Sequence, residues 1–251
     1  MNLSYGVITI CLNAGRTIAD TLQSVVLQQP PPRQYIIVDG GSEDDTLQQI
    51  ALARTRLPAA ASVDLRLEAQ LHRPGAAGIP AAWNQGLRRI DADIVFIVNA
   101  DDWYEPHAAA TVLHAFSDHP AADLVVAPIQ YRTAPAAPVL RVQRPRSLRW
   151  LPVLMPIPHP GCFVRRRVYD RIGLFSEDYA VSADYEFIYR AARAGCSIHA
   201  LGEPLVSMRP GGFARQRLAL ARRETFRIAR AQGAGALLPA AAFLVRWLLN
   251  R

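Results

Sequence analysis

Four consecutive residues, Asn99-Ala100-Asp101-Asp102, place an amide and two carboxylates directly after the apolar run 94–98. Adjacent carboxylates repel each other and cost stability unless a positive charge lies beside them. A hard divalent cation takes oxygen ligands and keeps several waters, so one or two carboxylates and a diphosphate can complete its shell. The run therefore indicates a divalent-metal site, although either acid alone is also typical of a solvated loop.

Two further polar runs follow apolar stretches, at residues 12–15 and at 39–42. Gly40 and Gly41 suit a turn, and Ser42 is a typical helix cap, but neither role explains Asp39. Ligands bind beyond the carboxyl ends of the strands in open parallel sheets, so we expect all three runs at one sheet edge. The chain has no GxGxxG and no GxxxxGK[ST] pattern, which argues against dinucleotide and P-loop sites.

The elements that must position these residues alternate between short apolar runs and helical patterns. The predicted strands are 5–12, 34–39, 63–69, 93–99 and 122–129. The predicted helices between them are 17–29, 43–54 and 79–90. This alternation predicts an α/β layer with a mostly parallel sheet.

Beyond residue 130 the alternation stops. The Pro- and Arg-rich segment 133–160 predicts a long ordered loop over one face of the domain. The remaining predicted elements are a strand at 161–166, helices at 167–175 and 182–195, and a strand at 197–201.

Composition points to a globular protein in a reducing compartment. Of 251 residues 51% are hydrophobic, and the three cysteines are far apart and odd in number, which argues against a disulfide framework. No positive charge precedes the first apolar run, so we interpret that run as a strand rather than a signal peptide. We therefore expect a cytoplasmic protein.

The C-terminal part carries the positive charge. The formal net charge is +7, and residues 205–251 alone hold nine Arg and one Glu. A basic helical pattern at 215–230 precedes an apolar run at 236–249, which is shorter than the roughly 20 residues that span a bilayer. The pattern is typical of a helix lying on an anionic membrane surface, here the inner face of the cytoplasmic membrane. A helix packed on the domain, or on a dimer partner, would show the same pattern.

Six segments, in order, resemble motifs of family 2 glycosyltransferases with the GT-A fold, and the likeness is greatest to bacterial polysaccharide and O-antigen enzymes. They are VITICLN, YIIVDGGSEDDT, GIPAAWNQGL, IVFIVNADDWY, HPGCFVRRRVYDRIGLF and SADYEF. The resemblance implies a Rossmann-like nucleotide-binding sheet with a smaller acceptor-side region over residues 1–213, followed by a helical C-terminal tail at 214–251. It also implies inverting sugar transfer from a nucleotide diphosphate donor to a glycan or lipid-linked glycan in cell-surface polysaccharide synthesis.

The resemblance also assigns residues on the donor side. The residues expected to border the nucleotide base are Thr9, Cys11, Leu12 and Asn13. Asp39 would accept a hydrogen bond from the base ring, which favours uracil, and Asn84 would face the sugar-phosphate region. Asn99, Ala100 and Asp101 occupy the DxD position, with Asp101 as the ligand of Mn²⁺ or Mg²⁺. Asp102 is a further candidate at this site.

On the acceptor side, Asp184 matches the general base of inverting members, and His159 could touch the diphosphate or the acceptor. A structural histidine is an equally good interpretation of His159. Three positions depart from the family pattern: Asn99 replaces the first acid of DxD, Ala81 stands where a subgroup has Asp, and Ala183 precedes the base where many members have an acid. Loss of that neighbouring charge should leave the pKa of Asp184 less raised.

Two other classes remain open on the sequence alone. A sugar nucleotidyltransferase also uses an α/β sheet and a metal, but the glycine run expected after its first strand is absent from residues 11–20. A membrane-surface scaffold with a decayed site would explain Asn99, Ala81 and the basic tail. No nucleic-acid partner is expected, and the sequence leaves the oligomeric state open.

Overall fold

Eleven strands form two sheets in the computed structural model, which describes residues 3–55, 63–71, 78–212 and 217–234. The strands of the larger sheet are β1 (Tyr5–Cys11), β2 (Gln34–Asp39), β3 (Asp64–Ala69), β4 (Ile94–Asn99), β6 (Leu124–Val126), β9 (Cys162–Arg165) and β10 (Ile198–Ala200). Those of the smaller sheet are β5 (Trp103–Tyr104), β7 (Ile129–Tyr131), β8 (Arg141–Gln143) and β11 (Val206–Met208).

The seven-stranded sheet has the order β10-β6-β9-β4-β1-β2-β3. Strands β4, β1, β2 and β3 are parallel neighbours, and β6 and β10 are also parallel. Strand β9 is antiparallel to both β4 and β6 and joins the two parallel groups. The predicted α/β fold with a mostly parallel sheet is therefore confirmed.

Seven helices cover the sheet in the described ranges. They are α1 (Ile18–Val26), α2 (Thr46–Thr55), α3 (Ile79–Leu87), α4 (Ala108–Asp118), α5 (Arg166–Ile172), α6 (Ala183–Arg193) and α7 (Leu218–Ala231). Every residue of β1 is buried, because apolar layers cover both faces of the sheet. Ile8 and Ile10 face the layer that contains α3, α5, α6 and α7, whereas Val7 and Cys11 face the layer of α1 and α4.

Two predictions from the sequence need correction in the second half of the domain. The predicted strand 122–129 is two strands in different sheets: the pairing with β9 extends to the Ala127 N–H, which bonds to the Gly161 carbonyl at 2.8 Å, and Pro128, which has no N–H to donate, follows it. The predicted loop 133–160 contains β8, which pairs antiparallel with β7 and extends the second sheet. Pairing between distant short segments leaves little local pattern, so this small sheet was missed.

The C-terminal helix α7 packs on the domain. Ile228 and Ala229 are completely buried in the core layer that contains α6, and Glu224 on the same helix is 3% exposed. This contact favours the packed interpretation for residues 217–234. The apolar run 236–249 lies outside the described residues, and no helix among those described is long and apolar enough to cross a membrane.

Candidate active site

The carboxyl ends of β1, β2 and β4 meet at one edge of the large sheet, as the sequence predicted. The register pairs Cys11 with Asp39 on one side of β1 and Ile10 with Asn99 on the other. The turn that carries Asp39 and the motif that begins at Asn99 therefore flank the end of the central strand. This juxtaposition defines the candidate donor site.

Asp39 is buried at the end of β2 and is held by its own turn. It accepts hydrogen bonds from the Gly41 and Ser42 backbone N–H groups, both at 3.0 Å, and from the Ser42 hydroxyl at 2.6 Å. Burial raises the pKa of Asp39, but the bonds from Ser42, Gly41 and Cys11 outweigh it and hold the pKa below its usual value. The site therefore presents an ionised carboxylate whose orientation is fixed.

Ser42 does not cap the following helix as predicted. Its hydroxyl is committed to Asp39 and accepts the Asn13 N–H at 2.9 Å. Asp44 takes over the start of α2, where its carboxylate accepts the Thr46 N–H at 3.0 Å and also the Gly15 N–H at 2.9 Å. The turns after β1 and β2 are thus tied together.

Of the four residues expected to border a base, some lie at the protein surface and others are buried. Leu12 is 60% exposed, and Asn13 adopts a left-handed conformation, φ 50°, while its side-chain oxygen accepts the Glu43 N–H at 2.9 Å. Cys11 is buried beside Asp39, with its Sγ 3.5 Å from Asp39 Oδ1. Thr9 departs from the expectation, because it is completely buried and its hydroxyl pairs with the Tyr35 hydroxyl at 3.0 Å, inside the core.

The Asn99–Asp102 motif contains oxygen atoms without hydrogen-bond partners. Among the described residues, the buried Asn99 Oδ1 and both carboxylate oxygens of Asp102 have none. Asp102 is 1% exposed, and burial followed by the charge of Asp101 raises its pKa well above the usual value. Asp101 is only partly buried and is the more accessible acid; burial raises its pKa, which the Arg209 guanidinium partly offsets.

The backbone of this motif is held from two sides. The Thr21 hydroxyl on α1 donates to the Asp102 carbonyl at 2.6 Å, and Arg209, just after β11, donates to the Asp101 carbonyl at 2.6 Å. Arg209 also forms an ion pair with Asp20 and lies 4.7 Å from the centroid of the Trp103 ring. These contacts fix the loop that carries the acids.

Unpartnered oxygens and an accessible carboxylate fit a hard divalent cation, which prefers oxygen ligands. The residues described include no group of three or more His, Cys, Asp or Glu able to hold a metal ion. These few oxygen ligands suit a cation whose coordination shell is completed by a diphosphate and water, rather than a cation held by protein ligands alone. The donor chemistry present therefore fits Mn²⁺ or Mg²⁺ bound together with a nucleotide.

Asn84 on α3 anchors the segment that leads to α6. Its amide nitrogen donates to the Phe175 carbonyl at 2.9 Å and to Glu177 Oε1 at 2.8 Å, and its oxygen accepts the Phe175 N–H at 3.0 Å. These bonds engage both amide hydrogens and the oxygen, so the structure gives Asn84 a positioning role. Its expected contact with a sugar-phosphate stays a prediction.

His159 lies in an aromatic cluster below that segment. Its ring centroid is 4.7 Å from Trp83 and 5.5 Å from Phe175, and the residue is 8% exposed. Burial lowers the pKa of His159 to about 4, so the imidazole is neutral at pH 7. This position favours the structural interpretation of His159.

Asp184 lies in the first turn of α6 and is partly buried. Its Oδ1 accepts the Tyr185 N–H at 2.7 Å. The pKa of Asp184 is raised from 3.8 to about 6, chiefly by burial and also by the negative charge of Glu224, against the backbone N–H groups that lower it. Although Ala183 removes a neighbouring charge, burial keeps this pKa high. A carboxylate with a pKa near 6 suits proton abstraction at neutral pH.

Three residues around the site were missed from the sequence: Glu177, Arg209 and Glu224. Arg209 and Glu177 lie in loops without a recognisable pattern. Glu224 carried a signal, because it is the one acid among residues 205–251. A lone acid on a basic helix is a candidate for a specific buried contact.

Solved structures with a similar fold include complexes with nucleotides and with sugar nucleotides. S. aureus TarS 1–349 in complex with UDP-GlcNAc matches with a TM-score of 0.70 at 19% identity, over 98% of this chain and 72% of that chain. The Pyrobaculum calidifontis mannosyltransferase PcManGT in complex with GDP-Man and Mn²⁺ matches with a TM-score of 0.65 at 19% identity, over 98% of this chain and 75% of that chain. Mycobacterium tuberculosis glucosyl-3-phosphoglycerate synthase in complex with Mn²⁺, UDP and phosphoglyceric acid matches with a TM-score of 0.66 at 15% identity, over 93% of this chain and 80% of that chain. The fold is therefore that of GT-A glycosyltransferases.

The model of Glycosyl transferase family 2 matches residues 6–173, and the chain belongs to this family. No curated protein sequence matches the chain. The protein is accordingly a glycosyltransferase, as the resemblance of its motifs implied.

Proposed function

We propose that the protein transfers a sugar, with inversion, from a UDP-sugar to a glycan or lipid-linked glycan during cell-surface polysaccharide synthesis. The observation that carries the proposal is the register of the sheet, which sets Asp39 and the Asn99–Asp102 motif on either side of the end of β1. Such an edge is where open α/β sheets bind nucleotides.

On the donor side, Asp39 orients the base and Asp101 faces the diphosphate. Asp39 is ionised and rigidly held, which suits a hydrogen bond from the ring N–H of uracil. Leu12 and Asn13, at the surface of the same edge, border the base. Asp101 is the accessible acid of its motif, while Asp102 stays inside and Asn99 offers an unpartnered oxygen.

A divalent cation held by Asp101 and the diphosphate would neutralise charge on the leaving group. Arg209 and Thr21 keep the backbone of the motif in place for this contact. The Mn²⁺ in two of the compared structures supports the same choice of cation.

On the acceptor side, Asp184 removes the proton from the attacking hydroxyl. The Tyr185 N–H donates to its Oδ1 and fixes the orientation of the carboxylate. A base of this kind contributes about 10²- to 10⁴-fold to the rate. Tyr185 also donates to the Leu151 carbonyl, which ties α6 to the segment 148–157.

An open groove of about 700 Å³ adjoins that segment and offers a surface for the acceptor. The residues that line the groove include Arg141, Arg144 and Arg146 together with Leu154, Met155 and Pro156. This mixture of cationic and apolar groups would suit a glycan that carries anionic groups or a lipid. The basic tail would then bring the enzyme to the inner face of the membrane.

The donor half of the proposal can be tested by nucleotide binding. In a thermal-shift comparison of UDP, GDP, CDP and TDP with Mn²⁺ or Mg²⁺, we expect UDP with a metal to raise the melting temperature most. Asp101→Ala should abolish the metal-dependent part, whereas Asp91→Ala, which alters an acid at the protein surface, should not. Equal binding of UDP with and without EDTA in both proteins would contradict the proposed metal site.

A further inference from the structure

Glu224 is a buried carboxylate whose position the donor chemistry does not explain. It lies on α7, is 3% exposed, and is the one acid in the last 47 residues, among nine arginines. A buried carboxylate is costly unless charge-assisted hydrogen bonds compensate for its lost hydration. Its partners therefore indicate what the residue is for.

Glu224 accepts three backbone hydrogen bonds from the turn directly before α6. Its Oε1 accepts the Ala180 N–H at 2.9 Å, and its Oε2 accepts the Val181 N–H at 3.0 Å and the Ser182 N–H at 2.8 Å. Successive backbone N–H groups of this kind form an anion-binding concavity, and the N-terminus of α6 adds its positive dipole end. Ser182, the N-cap of α6, makes no side-chain cap bond, so Glu224 supplies the anchor from outside the helix.

The anchored turn ends two residues before Asp184. The carboxylate of Asp184 is placed by the start of α6, and the start of α6 is placed by Glu224 and by the Ser182 hydroxyl, which donates to the Ala221 carbonyl at 3.3 Å. Burial of Ile228 and Ala229 holds the rest of α7 against the same layer. A chain of contacts thus runs from the C-terminal helix to the proposed base.

We propose that Glu224 is a positioning residue of the transferase, through which α7 sets the place and the charge environment of Asp184. This inference rests on the proposed role of Asp184 as base. It makes the C-terminal helix part of the catalytic apparatus rather than a separate tail.

Two titratable groups from neighbouring elements interact with Asp184. The negative charge of Glu224 raises the pKa of Asp184, whereas the Cys162 thiol on β9, whose own pKa is raised to about 12 by burial and then by Asp184, stays neutral. On α6 itself, Glu186 is paired with Arg190 at 2.8 Å. Removal of the Glu224 charge should therefore lower the pKa of Asp184.

The test compares Glu224→Gln with the wild type, with a packing control and with Asp184→Asn. Glutamine has the same length but only one acceptor oxygen, and it turns an NH₂ group towards backbone donors. We expect kcat to fall on the order of 10- to 100-fold, as for a misplaced reacting group, with KM for the donor within about threefold. The rising limb of the pH profile should move to lower pH, so the loss is larger at pH 8 than at pH 5.5.

Ile228→Ala serves as the packing control, because it loosens the same helix and leaves the carboxylate. We expect it to lower the melting temperature without moving the pH limb. If Glu224→Gln keeps a normal kcat, or if both variants lose activity alike with no shift of the limb, α7 only packs and the inference falls. An Asp184→Asn variant that retains activity would instead overturn the proposed base, and the inference with it.

Two measurements decide the question if Glu224→Gln does not fold. Glu224→Asp keeps the charge but shortens the reach, so kcat should fall while the pH limb stays in place, and a normal kcat would contradict the inference. In the wild type, hydrogen exchange of the Ala180, Val181 and Ser182 amides should be slow. Rapid exchange at these three amides would remove the geometric basis.

Discussion

Replacing Asp184 by Asn should raise the free energy of unfolding above pH 7, leave it unchanged below pH 4, and lower kcat. The side chain is partly buried, and burial raises its pKa from 3.8 to about 6. Asparagine keeps the size and the oxygen that accepts the Tyr185 N–H, but it removes the charge that burial disfavours. A residue kept for its chemistry at the expense of stability should show this signature.

The size and the sign of the effect follow from linkage. A rise in pKa from 3.8 to about 6 corresponds to about 3 kcal/mol at 1.36 kcal/mol per pKa unit. Because the folded-state pKa is the higher one, the stability from proton binding is fully present below about pH 4 and is lost as pH rises through about 6. Compared with the wild type, Asp184→Asn should gain nothing from charge removal below pH 4 and up to about 3 kcal/mol above pH 7.

Urea unfolding at several pH values between 4 and 8 measures this difference, with Asp178→Asn as the control at a nearby exposed acid. The same Asp184→Asn protein should lose at least about 10² in kcat, with donor binding within a few-fold. A stability difference that does not change with pH, or a variant less stable than wild type at pH 8, would refute the account of a buried, strained carboxylate. Retention of the anomeric configuration in the product would refute its role as the base.

Two further predictions concern the fold and the tail. A Cβ atom at Gly161 would lie 2.4 Å from the Ala127 carbonyl oxygen, so Gly161→Ala should lower the free energy of unfolding by about 1–3 kcal/mol, whereas Gly202→Ala, with open space around it, should be close to neutral. Deletion of residues 235–251, which removes the apolar run and leaves the Arg-rich pattern 215–230, should weaken binding to anionic phosphatidylglycerol vesicles in a flotation assay. Undiminished vesicle binding after this deletion would place the membrane contact elsewhere.

The central sheet could be predicted from the sequence because its signals are local. Largely apolar runs ending in polar residues located β1, β2 and β4, and the rule for parallel strands placed their ends together. The alternation of side chains along a buried strand was harder to use, since both faces are apolar. Thr9, which the family resemblance placed beside the base, has its hydroxyl against that of Tyr35 in the core.

The turns around the donor site could be predicted only in part. Asp39 was expected to face the cleft as an acid at a strand end, but the donors of its own turn, which bond to both of its oxygens, were not predicted. The Ser42 hydroxyl bonds to Asp39 rather than to the helix, and Asp44 replaces it there. Side chains with several suitable partners within a few residues cannot be assigned from spacing alone.

The acceptor side depends on contacts that span long stretches of sequence. Asn84 meets Phe175 across 91 residues, and Glu224 meets Ser182 across 42. Both contacts end on the backbone of the segment that precedes Asp184, one on each side of residues 176–179. Because backbone atoms carry no residue identity, no motif at residues 175–182 could have revealed either partner.

These two anchors explain how one carboxylate can be held for catalysis in a loop-to-helix junction. An exposed loop before α6 would let Asp184 move into water, where its pKa would fall towards 3.8 and its strength as a base would fall with it. The amide of Asn84 fixes the segment at Phe175, and the carboxylate of Glu224 fixes it again at residues 180–182. The neutral amide binds without charge, whereas the carboxylate adds a negative charge that favours the protonated form of Asp184. Asn84 and Glu224 thus both fix the position of Asp184, whereas only the charge of Glu224 changes the pKa of Asp184. A Glu224 variant and an Asn84 variant should therefore differ in their pH profiles, even where their losses of kcat are equal.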